Sequence, residues 1–363
     1  MTNRKPEYIQ LYELLREEIV QGIWPLGSRL PSRRQMALDR QLSVVTVEHS
    51  YELLCQEGYI QARPRSGYFV AYRQSDGFAA AESQPRFHVP AGGGEGEDSF
   101  PFNVLARAMR RVITDYGEDL LRKPPNAGCP ELRDALSRYL ARNRGIQATP
   151  EQIVIGSGSE YLYGLVVEML GADRVFAIEY PSYEKIEQVY QAKGVACELL
   201  PLGREGIRSS ALADAKGTVL HITPFRSYPT GVTASASKRA EYIRWSEQGD
   251  RYIVEDDFES EFSLLRKPEE TVYSRSGAGR VIYMNTFTRT VSSSLRVGYM
   301  VLPPRLKPLF DERVGFYSCT VPSFEQYLLA DLIESGDFER HVNRMRRKRR
   351  KQERDDLANG GEV

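Results

Sequence analysis

The chain carries no excess charge of either sign: 49 lysines and arginines meet 49 aspartates and glutamates. Bulk electrostatics therefore selects no partner, and a nucleic-acid surface has to come from local clustering. Cysteine is scarce. Four residues in 363 (Cys55, Cys129, Cys197, Cys319) are scattered without a CxxC pair, which argues for reduced thiols and against a disulfide framework or zinc site. The four histidines (His49, His88, His221, His341) are equally dispersed and leave no metal-ligand spacing, so no metal is expected. No apolar run approaches the roughly 20 residues of a membrane span, and polar residues rather than a signal core follow Met1. No membrane partner and a cytoplasmic location are expected.

What is there divides into three zones. Residues 7–72 are helix-rich by pattern. Residues 73–99 contain Ala79-Ala80-Ala81 and Gly92-Gly93-Gly94 without a sustained period, as a flexible linker does. From residue 100 to about 357, strand-like runs such as Ile153-Val154-Ile155, Val175-Phe176-Ala177-Ile178, Val219-Leu220-His221-Ile222, Tyr252-Ile253-Val254 and Val281-Ile282-Tyr283 alternate with amphipathic segments. That alternation predicts an α/β domain with a mainly parallel sheet.

In the first zone Leu11, Leu14, Leu15 and Ile19 recur at helical spacing and Gly22 ends the pattern. Ser32 is placed to cap a second helix. Residues 44–56 form a third, with Val47, Tyr51 and Leu54 on one face. A hairpin follows, Tyr59-Ile60-Gln61-Ala62 and Tyr68-Phe69-Val70 around Arg63-Pro64-Arg65-Ser66-Gly67. Helix, helix-turn-helix and hairpin make a winged helix-turn-helix, whose third helix enters the major groove. The alternative is a three-helix bundle that binds nothing. Against it, Arg33, Arg34, Arg63 and Arg65 stand at the second helix start and the wing tip, where phosphates lie.

Leu26-Gly27-Ser28-Arg29-Leu30-Pro31-Ser32, Thr46-Val47, Tyr51-Glu52-Leu53-Leu54 and Glu57-Gly58-Tyr59-Ile60 resemble the DNA-binding domains of GntR-family regulators. The resemblance implies double-stranded operator DNA as partner, with Arg34, Ser43, Thr46 and Gly67 facing it. One departure stands out. The family usually has an arginine after the serine that opens the recognition helix, and here that position is Val44, which implies weaker binding or an altered operator. His49 is exposed by helical phase, within reach of DNA or merely solvated.

The second zone has its own motifs. Ile153-Val154-Ile155 runs into Gly156-Ser157-Gly158-Ser159-Glu160, either a phosphate cradle of backbone N–H groups at a helix start or an ordinary tight connection. Asp256 follows the strand at residues 252–254, at the carboxyl edge where α/β ligands bind, or else belongs to a solvated acidic turn with Glu255 and Asp257. Together with Tyr180-Pro181-Ser182-Tyr183, Thr223-Pro224, Tyr228-Pro229-Thr230-Gly231-Val232, Glu255-Asp256-Asp257-Phe258-Glu259-Ser260-Glu261-Phe262 and Ser294-Leu295-Arg296-Val297-Gly298-Tyr299, these resemble a fold-type I aminotransferase. Joined to the N-terminal module, the whole resembles the MocR-type regulators.

That resemblance implies a pyridoxal 5'-phosphate site. Asp256 would pair with the cofactor's ring nitrogen, and Gly158, Ser159, Thr286, Thr288 and Arg296 would hold its phosphate. It also exposes a substitution: in Asn285-Thr286-Phe287-Thr288-Arg289-Thr290 an arginine stands at the position of the Schiff-base lysine. A guanidinium stays charged and cannot form that bond. Other cofactor-facing positions differ too. Phe258 replaces a tyrosine, Glu160 and Tyr161 replace two glutamines, and Phe225-Arg226-Ser227 replaces Ser-His-Gln. The family's smaller C-terminal domain, which carries a carboxylate-gripping arginine, is expected to be missing after the basic run at residues 344–354. That run reads as a solvated helix face or a second nucleic-acid patch.

The expectation is a DNA-binding regulator, homodimeric by resemblance. Its aminotransferase-like domain would serve as effector or dimerisation scaffold and bind pyridoxal phosphate weakly and noncovalently at best. The alternatives are an active aminotransferase and a decaying remnant of a regulator.

Overall fold

Leu11, Leu15 and Ile19 share the inner face of α1 (Glu7–Val20), while Leu14 is 40% exposed at the edge of that face. The computed structural model describes residues 6–64, 66–72, 100–258, 261, 270–277 and 279–359, with side chains through residue 352. The expected linker at 73–99, Arg65, and Glu259, Ser260 and Phe262 of the acidic motif lie outside these residues. The chain forms two units, Met1–Gly93 and Gly94–Val363.

In the first unit Ser32 and Ser43 cap α2 (Arg33–Arg40) and α3 (Val44–Gln56), accepting from the N–H groups of Gln35 and Thr46 at 3.2 and 3.0 Å. The antiparallel hairpin β1 (Ile60–Arg63) and β2 (Gly67–Val70) closes over Val47, Tyr51 and Leu54, all fully buried.

The second unit is a three-layer α/β/α sandwich. Its described strands are β3 (Ile153–Gly156), β4 (Val175–Tyr180), β5 (Ala196–Gly203), β6 (Gly206–Ile207), β7 (Val219–Ile222), β8 (Tyr252–Asp256), β9 (Val281–Thr286) and β10 (Gly298–Val301), in the spatial order β3-β10-β9-β8-β7-β4-β5-β6. The run from β9 through β8, β7 and β4 to β5 is parallel; β10 pairs antiparallel with β9 and β3, and β6 with β5. Central strands read as continuous apolar runs because both faces are covered. Val154, Phe176, Ile178, Val254 and Ile282 pack on one side under α6 (Ser159–Leu170) and α7 (Glu184–Ala192). Ile155, Tyr283 and Tyr299 face α5 (Pro130–Arg144) and α12 (Ser323–Glu334), and Ala177, Leu220 and Ile253 lie under α9 (Ala236–Ser246). The chain reverses direction across the sheet at β4, with β5 on one side and β7 on the other. Such a switch point opens a crevice at the carboxyl ends of the strands.

The basic segment in α13 (Asp337–Asn359) is not a purely solvated face. Val342 and Met345 are buried, and the Arg346 guanidinium donates to the Glu261 carbonyl. A helix with an apolar stripe against the core holds its basic residues by their stems.

Candidate functional site

The ends of β3, β4, β7, β8 and β9 converge on one cavity of about 300 Å³, at the lower end of small-molecule sites. Gly158, Ser159, Asp256, Thr286, Thr288, Arg289 and Arg296 all line it, joined by Glu160, Tyr163, Tyr183, Thr223, Tyr228 and Phe258. The six residues expected to hold a cofactor are therefore brought to one place, whereas Tyr161, Phe225, Arg226 and Ser227 do not line this cavity. The tight connection after β3 ends at Gly158, whose φ of +88° is a conformation that L side chains rarely adopt. A Cβ there would also come within 3.7 Å of the Arg296 guanidinium. The first turn of α6 thus offers its N–H groups beside a cation, the arrangement that binds anions.

Asp256 is not part of a solvated turn. Glu255, Asp256 and Asp257 are 0, 4 and 0% exposed, and each has different partners. Glu255 accepts from the N–H groups of Val272 and Tyr273, both at 2.8 Å. Asp257 accepts from Arg144 and the Tyr283 hydroxyl, both at 2.6 Å, in a fully buried ion pair. Asp256 accepts from the Tyr163 hydroxyl. Burial and the adjacent Asp256 carboxylate push the Tyr163 pKa well up, so that hydroxyl keeps its proton. Behind Asp256, His221 Nε2 lies 3.8 Å away and His221 Nδ1 is 2.7 Å from the Tyr190 hydroxyl.

Tyr163, His221 and Tyr190 were not assigned from the sequence. The signal for Tyr163 was its place four residues after Ser159, on the same helical face. His221 was a single polar residue inside an apolar strand. Nothing local marks Tyr190, which reaches the site from α7.

Two buried polar atoms in cavity-lining residues have no hydrogen-bond partner: Asp256 Oδ1 and Thr286 Oγ1. An unmet buried acceptor costs about 1–3 kcal/mol, so such atoms are usual where a ligand completes the bonding. They suit a protonated ring nitrogen at Asp256 and an anionic ester near Thr286. The cation at the other end is partly neutralised. Glu160 Oε1 sits 3.1 Å from Lys185 Nζ and 3.7 Å from Arg296 Nη2.

Arg289 lies with its guanidinium carbon 5.5 Å from the centre of the Phe258 ring. A planar cation thus lies on an aromatic face. No lysine lines the cavity among the described residues. Lys185, bonded to the lining Glu160, is half exposed, and that bond pushes its pKa up, so its amine stays charged.

In the first unit Arg34, Arg63 and Ser43 are exposed and Thr46 is half-buried. The Ser43 hydroxyl is taken up in capping and lies 2.8 Å from the Thr46 hydroxyl. Arg33 is paired with Glu48 of α3, and Arg63 stacks 4.5 Å over Phe69. Gly67 has φ +104°, and a Cβ there would approach Arg29 Nε to 3.2 Å, so the wing turn itself requires glycine. His49 packs edge-on against Tyr8 with ring centres 5.8 Å apart. Among the described residues no His, Cys, Asp and Glu group suits a metal ion, and no helix is long and apolar enough to cross a membrane.

Residues 7–70 match the family described as bacterial regulatory proteins, gntR family, and residues 94–360 match aminotransferase class I and II. The chain is 31% identical over 361 residues to the uncharacterized HTH-type transcriptional regulator YdeL of Bacillus subtilis, covering 95% of this chain and 77% of the relative. It is 32% identical to the probable rhizopine catabolism regulatory protein MocR of Rhizobium meliloti, covering 94% and 74%. The fold resembles LysN, the α-aminoadipate aminotransferase of Thermus thermophilus, with a TM-score of 0.64, 26% identity, and 74% of this chain and 69% of that one covered.

Proposed function

We propose, from the premise that this chain belongs to the MocR-type regulators of the GntR family, that it controls transcription without aminotransferase chemistry. The N-terminal unit binds operator DNA as a homodimer on paired half-sites. Its aminotransferase-like unit serves as effector pocket and dimerisation scaffold. The observation that carries this reading is the Arg289 guanidinium in a cavity whose other lining residues include Asp256, Thr286, Thr288 and Arg296; the resemblance sets it at the Schiff-base lysine position.

The residues present fit pyridoxal phosphate as a noncovalent ligand. Asp256 Oδ1 would accept from the ring nitrogen, and the Ser159 N–H at the start of α6, set by the turn at Gly158, would hold the phosphate with Thr286, Thr288 and Arg296. When linked to a lysine that cofactor acts as an electron sink. Here Arg289 supplies charge and stacking but no removable proton at neutral pH. Phe258 retains the ring bulk and offers no hydroxyl. The pocket can thus bind and sense, with no group in the lysine's place to shuttle a proton.

Gel shifts of the full chain on its own upstream DNA at two salt concentrations test the DNA reading, since phosphate contacts make binding strongest at low salt. Absence of a shift at low salt would defeat it. The cofactor reading is tested by an absorbance titration with pyridoxal phosphate followed by borohydride reduction. Saturable binding without a trapped adduct is expected, and an adduct mapping to this cavity would overturn the noncovalent assignment.

A further inference from the structure

The outward face at the start of the recognition helix is apolar. Val44 and Val45 are 43% and 59% exposed, while Val47, Tyr51 and Leu54 take the buried face of the same helix. The polar groups around them are engaged elsewhere. Ser43 caps the helix and bonds Thr46, and Arg33 and Glu48 neutralise each other. Two adjacent β-branched side chains are thereby left to face outward on the element that a winged helix-turn-helix inserts into the major groove.

The major-groove edge of B-DNA offers one apolar group, the C5-methyl of thymine. We propose that Val44 and Val45 read thymine methyl groups, which makes the operator thymine-dependent at the base pairs beneath the start of α3. This rests on the reading that the N-terminal unit binds DNA. Exposed Arg34 and Arg63 hold the duplex by its phosphates and carry no sequence information. Discrimination at the first turn comes from methyl burial, worth about 0.8 kcal/mol per group, or roughly fourfold in Kd.

The experiment selects sites for the full-length chain from a random duplex pool, then replaces each thymine of the selected site in turn with deoxyuridine. That exchange removes the methyl and leaves base pairing intact. At the contacted positions the wild-type chain is expected to lose about fourfold in affinity per methyl. The double variant Val44→Ala, Val45→Ala keeps the cap and the buried face of α3; it is expected to bind thymine and uracil sites alike. Indifference of the wild type to uracil at every position overturns the inference and leaves DNA binding standing. So does a double variant that keeps the full uracil penalty. Failure to bind any duplex at low salt overturns the DNA-binding reading and the inference with it.

Discussion

Replacing Glu160 with glutamine isolates the feature that most weakens the anion end of the cavity. The carboxylate lies in the first turn of α6, 3.7 Å from Arg296 Nη2 and 3.1 Å from Lys185 Nζ. At an effective dielectric constant near 20, a 3.7 Å pair has a Coulomb ceiling of about 4.5 kcal/mol. Both partners are accessible, with side chains 55% and 36% exposed, so solvent screening brings the net value down to about 0.2–1 kcal/mol. Glu160→Gln frees Arg296 and removes a negative charge from a helix start that favours anions. A gain of about 1 kcal/mol corresponds to roughly fivefold tighter binding of a phosphate ester. Calorimetric titration of both proteins with pyridoxal phosphate, and in parallel with pyridoxal, reads this directly. Fivefold tightening for the ester, unchanged affinity for pyridoxal and shrinkage of the gain at high salt are expected. Equal gains for both ligands, or none for the ester, would refute the argument.

Arg289→Lys places a primary amine in the cavity, so borohydride reduction in the presence of pyridoxal phosphate should yield an adduct that peptide mapping places at residue 289. Arg144→Met strands the buried Asp257 carboxylate and should cost about 3–5 kcal/mol in urea unfolding. Glu179, buried beside Ser227, has its pKa pushed up to about 7 by burial, against the opposing hydrogen bonds from Ser227 and Thr223. Its folded form therefore holds the proton more tightly than the unfolded chain, and its contribution is full below about pH 4.5 and lost as pH rises through 7. Glu179→Gln should flatten the fall in stability by roughly 2.5 kcal/mol, measured as wild type minus variant between pH 5 and 8.

Arg289 acquires its meaning from what surrounds it. A lysine lost from an otherwise intact site would read as a dead enzyme. Here the Arg289 guanidinium lies over the Phe258 ring, and Asp256 and Arg296 line the same cavity. On the function proposed above, the cavity suits a polar, anionic ligand without a lysine to react with it.

Much of this was determined by local sequence. Ser32 and Ser43 cap helices because a short hydroxyl before an apolar-periodic run satisfies orphan N–H groups wherever it occurs. The strands starting at 153, 175, 219, 252 and 281 each open on an apolar run because both sheet faces are covered, and that burial shows in the run itself. The segment around Arg289 stands out in the sequence because its neighbours resemble the family's lysine segment.

Tertiary structure alone decided the rest. Glu255, Asp256 and Asp257 look like one acidic cluster in sequence, yet they are buried separately, against the Val272 and Tyr273 amides, Tyr163 and Arg144. Whether a carboxylate is solvated or enclosed depends on partners more than a hundred residues away in the case of Arg144 and Asp257, and no local pattern encodes them. The same holds for Arg33, whose charge is taken up by Glu48, and for His221 and Tyr190 behind Asp256. Periodicity is a property of neighbours along the chain. Burying a charge requires a partner across the fold, so only the folded chain shows which charges stay available.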